Sequence, residues 1–156
     1  MVDNDTIMKS GKCMECGANE TDGLSCYEMF QFPLVWEHND PKLYDLHFWL
    51  VSCYMIQHPS NYTKDGYNHL INLFIEAFDN DWDTAYILRK NRELILKVGK
   101  ITNPLPNHKR KRIYRRWSLT MEDLYSGGEE NAINNINKWK ETIRKDLKNN
   151  GICTAN

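Results

Sequence analysis

Apolar residues recur at helical spacing along most of the chain, and turn-forming residues separate the resulting segments. The first predicted helix starts at Cys26 and carries an apolar stripe: Tyr27, Phe30, Leu34 and Val35. Pro33 lies inside this stripe and is expected to kink or break the helix. Asp40 and Pro41 then provide an N-cap and a first helical residue. The pattern therefore predicts a second helix from about 41 to 58, ending before Pro59.

A third helix is predicted to start near 63–64, with a stripe of Tyr67, Leu70, Ile71, Phe74, Ile75 and Phe78. Asp81 or Asp83 is the predicted cap of a fourth helix, and Gly99 is its predicted end. Residues 99–117, which contain two prolines and many basic residues, predict an exposed loop.

Two more helices are predicted toward the C-terminus. Thr120 is the expected cap of a short one, and the last runs from about 129 to 149. We therefore predict an all-α bundle of four to five helices with a small, irregular, zinc-knuckle-like lobe that carries cysteines. The predicted parts of this single domain, 1–156, are a cysteine lobe at 1–25, a helical core at 26–98, a basic loop at 99–117 and C-terminal helices at 118–150.

Length and composition fit one globular domain. The chain has 156 residues, of which 41% are hydrophobic and 26% are charged. No apolar run reaches the roughly 18–20 residues that span a bilayer, so no membrane association is expected. The N-terminal residues lack the basic and apolar regions of a signal peptide, which predicts a cytoplasmic protein. In such a reducing compartment, five cysteines favour thiols or metal ligands over disulfides.

Three cysteines near the N-terminus predict a metal site. Cys13 and Cys16 form a C-x-x-C pair that is followed by Gly17, and this spacing lets two thiolates reach one metal around a tight turn. Cys26 adds a third thiol nearby. A thioredoxin-like redox pair would need a βαβ context, which the pattern does not predict. Zinc is the expected ion, and a structural zinc needs a fourth ligand.

Helix geometry favours His58 as the fourth ligand. If the first two helices are antiparallel neighbours, Cys26 lies near the end of the second helix, which carries Cys53 and His58. His69, just beyond the next turn, and Cys53 are the alternatives. His47 lies 11 residues before His58, roughly 16 Å along a helix, so the two histidines cannot share an ion.

Three polar residues of the second predicted helix have other interpretations. His47 is interpreted as a core residue that pairs with Glu76 or Asp79, an arrangement that a general base or the surroundings of a metal site also use. Tyr54 is expected to fill the core with its hydroxyl satisfied. Gln57 either caps the helix end or orients the ligand beside it.

The chain contains C-x-x-C-G near its start, then a Cys that opens a helix, and then D-P-x-x-Y-x-x-H and Y-x-x-Q-H-P. This pattern resembles an uncharacterised bacterial family of small proteins, catalogued as a domain of unknown function. The matching residues are Cys13, Cys16, Gly17, Cys26, Asp40, Pro41, Tyr44, His47, Tyr54, Gln57, His58, Pro59, His69 and Trp139. The resemblance implies that the Cys and His set belongs together, and it implies no activity. At Ser52 the chain departs from the resembled pattern, which has an Asp there.

Charge is distributed unevenly along the chain. Residues 1–85 contain 4 Lys/Arg and 14 Asp/Glu, whereas residues 86–156 contain 16 and 7. A basic cluster with aromatic neighbours is a candidate nucleic-acid contact: Lys109, Arg110, Lys111, Arg112, Arg115 and Arg116. We favour instead a solvated loop or one that pairs with the acidic half of the chain.

Three functional hypotheses follow. The first, which we favour over an enzyme, is a small metal-binding helical protein in which zinc is structural and the function depends on an unknown partner. The second is a metal-dependent enzyme that uses His47, His58 and His69 in the bundle. The third is a nucleic-acid-binding module that uses residues 109–117. No nucleotide-binding, hydrolase or metalloprotease motif favours a particular reaction.

Overall fold

A computed structural model of the chain describes residues 8–9 and 11–150. Seven α-helices lie within these residues: α1 (Cys26–Trp36), α2 (Pro41–Tyr44), α3 (His47–Ile56), α4 (Lys64–Asp79), α5 (Thr84–Val98), α6 (Met121–Gly127) and α7 (Ala132–Asn149). Two short antiparallel strands precede them, β1 (Met8–Lys9) and β2 (Lys12–Cys13). The predicted all-α fold with a small N-terminal cysteine lobe is confirmed.

Short polar side chains start most of the helices. Ser25 and Glu28 form a reciprocal capping box at α1, where Ser25 Oγ accepts from the Glu28 N–H. The side chain of Thr63 caps α4 by accepting the Gly66 N–H, and that of Asp83 caps α5 by accepting the Tyr86 N–H. Such caps satisfy backbone N–H groups that have no partner inside the helix. Gly99, with φ of 81°, follows the end of α5, as the sequence predicted.

The core lies around α3, which packs against α4 on one side and α7 on the other. Helices α1 and α6 pack together, α6 contacts α7, and α5 covers α4. The largest fully buried side chains include Trp139, Phe74, Met29, Leu50 and Ile136. Burial of these apolar surfaces is the main force that holds the bundle together.

The helix predicted for 41–58 is wrong in one respect, because it divides at Asp45–Leu46 into α2 and α3. The Leu46 N–H donates to Leu43 O at 2.9 Å, which tightens the turn and redirects the chain. The break expected at Pro33 does not occur, since α1 continues to Trp36. The predicted stripe of α1 is also partly wrong, because Tyr27 and Val35 are exposed.

Residues 99–120 connect α5 to α6 without an α-helix and contain one 3-10 turn, Asn107–Lys109. The start of this segment is fixed to the bundle, because the Thr63 N–H donates to Ile101 O at 2.8 Å. None of the helices in the described part of the chain is both long enough and apolar enough to cross a membrane.

Gly66, in the first turn of α4, should not tolerate a side chain. A Cβ at this position would lie 2.5 Å from the backbone oxygen of Ile101. We expect Gly66→Ala to lower the free energy of unfolding by about 1–3 kcal/mol, measured by urea denaturation, even though Ala favours helices. Gly127→Ala is the matched control, because its new Cβ would crowd only the movable amide of Asn135 and would make an ordinary contact with Asn131 Cβ. Equal stability of the two variants would contradict this account of the packing.

Candidate metal centre

The N-terminal lobe places two cysteines on a tight turn. The Gly17 N–H donates to Cys13 O at 3.0 Å, and the Cys13 N–H donates to Ala18 O at 2.8 Å. Gly17 has φ of 80°, a left-handed conformation that glycine adopts without strain. We call residues 13–18 the knuckle. It directs Cys13 and Cys16 to the same buried point.

Two helix ends supply the other two donor side chains. Cys26 is the first residue of α1, immediately after the capping residue Ser25. His58 lies just beyond the C-terminal end of α3, where Pro59 prevents the helix from continuing. The first and third helices thereby bring their ends to the knuckle.

The donor atoms of Cys13, Cys16, Cys26 and His58 all lie within 4.8 Å of one another. His58 Nε2 is 3.5 Å from Cys13 Sγ and 3.4 Å from Cys26 Sγ, and Cys16 Sγ is 3.6 Å from Cys26 Sγ. A tetrahedral zinc with ordinary bond lengths would place its ligands about 3.6 Å apart for S–N pairs and about 3.8 Å for S–S pairs. The three distances therefore fit one small cation at the centre of the group.

The group is closed to solvent. Cys26 is fully buried, and Cys13, Cys16 and His58 are each at most 4% exposed. Burial of so many polar donors without a shared partner would be unfavourable, because each loses its contact with water. A cation among the four donors would remove that cost.

Backbone and ring contacts fix the orientation of the His58 imidazole. Its Nδ1 donates to Tyr54 O at 2.6 Å, which leaves Nε2 to face the sulfurs. The Tyr54 ring stacks on the imidazole with centroids 4.1 Å apart. The Phe30 ring in turn stacks on the Tyr54 ring with centroids 3.9 Å apart. Metal-binding histidines in proteins are held in this manner by a hydrogen bond from the second nitrogen.

The electrostatics of the group favour a positive charge. Hydrogen bonds from Cys16 and then Cys26 hold the pKa of the Cys13 thiol far below its usual value. Burial alone would lower the pKa of His58, yet the charge interaction with Cys16 and the hydrogen bond with Cys13 raise it well above the usual range. Hydrogen bonds with Cys13 and Cys16 raise the pKa of Cys26. Protons and a metal ion therefore compete for the same donors, and a bound metal would displace the protons.

Glu15, which the sequence analysis did not single out, lies in the knuckle and links it to the helical bundle. Its carboxylate accepts the Ser60 N–H and the Ser60 hydroxyl, both at 3.0 Å, and it is only 4% exposed. Burial raises the pKa of this carboxyl. The contact ties the knuckle to the turn after His58. Its only signal in the sequence is a carboxylate between two ligand cysteines, which does not indicate a partner.

The structure separates the other proposed ligands from the four-residue group. Cys53 is fully buried in the bundle and His69 lies beside Asn91, with Nε2 3.4 Å from Asn91 Oδ1. Gln57 is adjacent to His58, but its amide donates to Leu119 O at 2.7 Å. Of the suggested supporting residues, Tyr54 contacts His58 directly, through its ring and its carbonyl oxygen.

His47 has a different setting from the one that the sequence predicted. It is 47% exposed rather than a core residue, and its Nδ1 lies 2.6 Å from Glu37 Oε1. The prediction that His47 pairs with Glu76 or Asp79 was wrong. Glu37, in the turn after α1, lies beside the start of α3 and is the partner instead. His47, Ser52 and His69 line a separate cavity of about 210 Å³ with mostly apolar walls.

The basic residues of the segment 109–116 divide into two sets. Arg110 and Arg112 are partly buried and donate to oxygens of the same loop. The side chains of the others are exposed: Lys109, Lys111, Arg115 and Arg116.

Comparison with known proteins gives one match. The model of a family described as "Family of unknown function (DUF5946)" matches residues 11–148, which is most of the chain and includes all four members of the candidate centre. No curated protein and no solved structure matches. The resemblance to a family of unknown function is thereby confirmed.

Removal of the Glu15 carboxylate should weaken the fold. In Glu15→Ala the Ser60 N–H and hydroxyl stay buried without an acceptor, so we expect the free energy of unfolding to fall by about 1–3 kcal/mol in chemical denaturation. Glu20→Ala changes an exposed carboxylate of the same lobe and is the control. If both variants unfold at the same denaturant concentration, the Glu15–Ser60 contact does not stabilise the lobe.

Proposed function

We propose, for a chain that belongs to the DUF5946 family of unknown function, that Cys13, Cys16, Cys26 and His58 bind one zinc ion with a structural role. The observation that carries this proposal is the convergence of four buried donor atoms at tetrahedral spacing. The protein would then be a small metal-binding helical protein that acts through a partner.

The choice of zinc follows from the donors. Three thiolates and one imidazole form one of the common ligand sets of structural zinc, whereas magnesium and calcium prefer oxygen donors. Copper(I) also accepts thiolates, but a closed tetrahedral set of four protein donors is typical of zinc. A reducing compartment keeps such thiols available, which fits the expected cytoplasmic location.

A structural role is favoured because the four donors leave no open position. Catalytic zinc sites usually have three protein ligands and a water or substrate in the fourth position. The alternative, a metal-dependent enzyme with His47 and His69 as acid–base groups, has less support. Both histidines line a cavity that the four-residue group does not share.

The ion would join three distant parts of the chain. Cys13 and Cys16 belong to the knuckle, Cys26 to the start of α1, and His58 to the end of α3. Because the unfolded chain does not hold these groups together, the free energy of metal binding adds to the free energy of folding.

Metal analysis tests this proposal directly. We expect about one zinc per chain in protein purified from zinc-containing medium, and a strong chelator should lower the Tm by 10 °C or more, as an order of magnitude. Purified protein without bound metal, stable in chelator, would contradict the proposal.

Thiol variants distinguish ligands from buried cysteines. Cys26→Ala should lose the metal, whereas Cys53→Ala, which removes an equally buried thiol outside the group, should keep it. Cys53→Ala should lose only the packing of one small side chain, about 1–2 kcal/mol. Equal metal contents in the two variants would exclude Cys26 as a ligand.

Cobalt substitution separates a structural from a catalytic centre. We expect the visible spectrum of the cobalt form to show tetrahedral sulfur-rich coordination and to remain unchanged when azide or cyanide is added. A spectrum that changes with these anions would indicate an open coordination position and would favour the enzyme alternative.

A further inference from the structure

The segment 109–116, which we call the basic ridge, has no role in the metal centre proposed above. It contains six basic residues, and residues 99–118 include no Asp or Glu. Lys109, Lys111, Arg115 and Arg116 are exposed. Ile113 is 57% exposed and Tyr114 is 59% exposed, so the ridge also presents apolar and aromatic surface.

Two arginines give the ridge a fixed shape. Arg112 donates to Asn107 O at 2.9 Å and to Asn107 Oδ1 at 2.5 Å. Arg110 donates to Leu105 O at 2.8 Å and also contacts Asn103 O and Asn61 Oδ1. The hydrogen bonds of these two arginines stabilise the loop, whereas the other four cations of the ridge are exposed to solvent.

The ridge is also anchored on the knuckle. The Arg115 N–H donates to Glu15 O at 3.0 Å. The Tyr114 ring lies against Gly17, where a Cβ would come within 2.8 Å of the ring. Trp117 is buried just after the ridge. The charged side chains are therefore displayed from an ordered backbone and not from a free loop.

Within residues 11–150, no acidic side chain forms an ion pair with the ridge. Among residues 11–150, the ion pairs join His47 to Glu37, Lys90 to Glu93 and Arg144 to Asp79, and none includes a residue of the ridge. The expectation that the basic segment pairs with the acidic half is thus not met within that range. Four neighbouring cations without a carboxylate partner in the described structure attract a polyanion.

We propose that the basic ridge binds the backbone of single-stranded nucleic acid. The four exposed cations lie close together in sequence and can contact phosphates, and the ring of Tyr114, which is 59% exposed, offers a surface on which a base can stack. The ridge contains no α-helix that could enter the major groove of a duplex, which favours a single strand. The proposal depends on exposed charge and on the ordered backbone, and it does not depend on which metal the centre binds.

Binding of the full-length protein to a fluorescent oligonucleotide of about 16 nucleotides tests the proposal, with DNA and RNA forms at about 50 mM salt. A variant with Lys109→Gln, Lys111→Gln, Arg115→Gln and Arg116→Gln should bind at least about tenfold more weakly. Its plot of log K against log salt should be shallower by about 3, since each phosphate contact contributes about 0.7.

The control variant changes four exposed basic residues outside the ridge: Arg92→Gln, Lys97→Gln, Lys138→Gln and Lys148→Gln. It has the same net charge as the ridge variant and should bind as the wild type does. Equal losses in the two variants would show that only overall charge matters and would overturn the proposal. No binding by the wild type, or binding to anionic lipid vesicles alone, would overturn it as well.

Tyr114 provides a separate test of stacking. Tyr114→Ala should weaken binding by about fivefold or more, whereas Tyr114→Phe, which keeps the ring, should bind like the wild type. Equal affinities of these two variants would remove base stacking from the proposal.

Discussion

Three sulfurs and one imidazole nitrogen meet at a single buried point between the N-terminal lobe and the helical bundle. Among the described residues of the lobe, regular structure consists of a two-stranded hairpin and single bridges, and Glu15 adds a contact to Ser60. Short segments of this kind are marginal in water unless a metal, a disulfide or a larger core holds them. The proposed ion would therefore help to fix the position of the knuckle.

Contacts extend from this point in two directions. Toward the bundle, His58 is held by Tyr54, whose ring stacks on Phe30, so the centre is continuous with the core between α1 and α3. Toward the surface, the Glu15 carboxylate accepts a hydrogen bond from the Ser60 N–H, and the Glu15 backbone oxygen accepts one from the Arg115 N–H. A single ion would thus hold the helix ends and, through Glu15, the basic ridge in one arrangement.

The sequence predicts the parts of this structure that depend on local pattern or spacing. The helix caps, Gly99 and the C-x-x-C-G knuckle are of this kind. The expected proximity of His58 to Cys26 is also found, with His58 Nε2 3.4 Å from Cys26 Sγ. Other contacts between distant residues have no such signal in the sequence. Glu15 meets Ser60 across 45 residues, and Glu37 meets His47 only because the chain turns twice between α1 and α3.

X-ray absorption at the zinc edge of the purified full-length protein tests the central claim most directly. The account predicts a four-coordinate first shell with three sulfurs at about 2.3 Å and one imidazole nitrogen at about 2.0 Å. A shell dominated by oxygen or nitrogen, or one with fewer than three sulfurs, would contradict it.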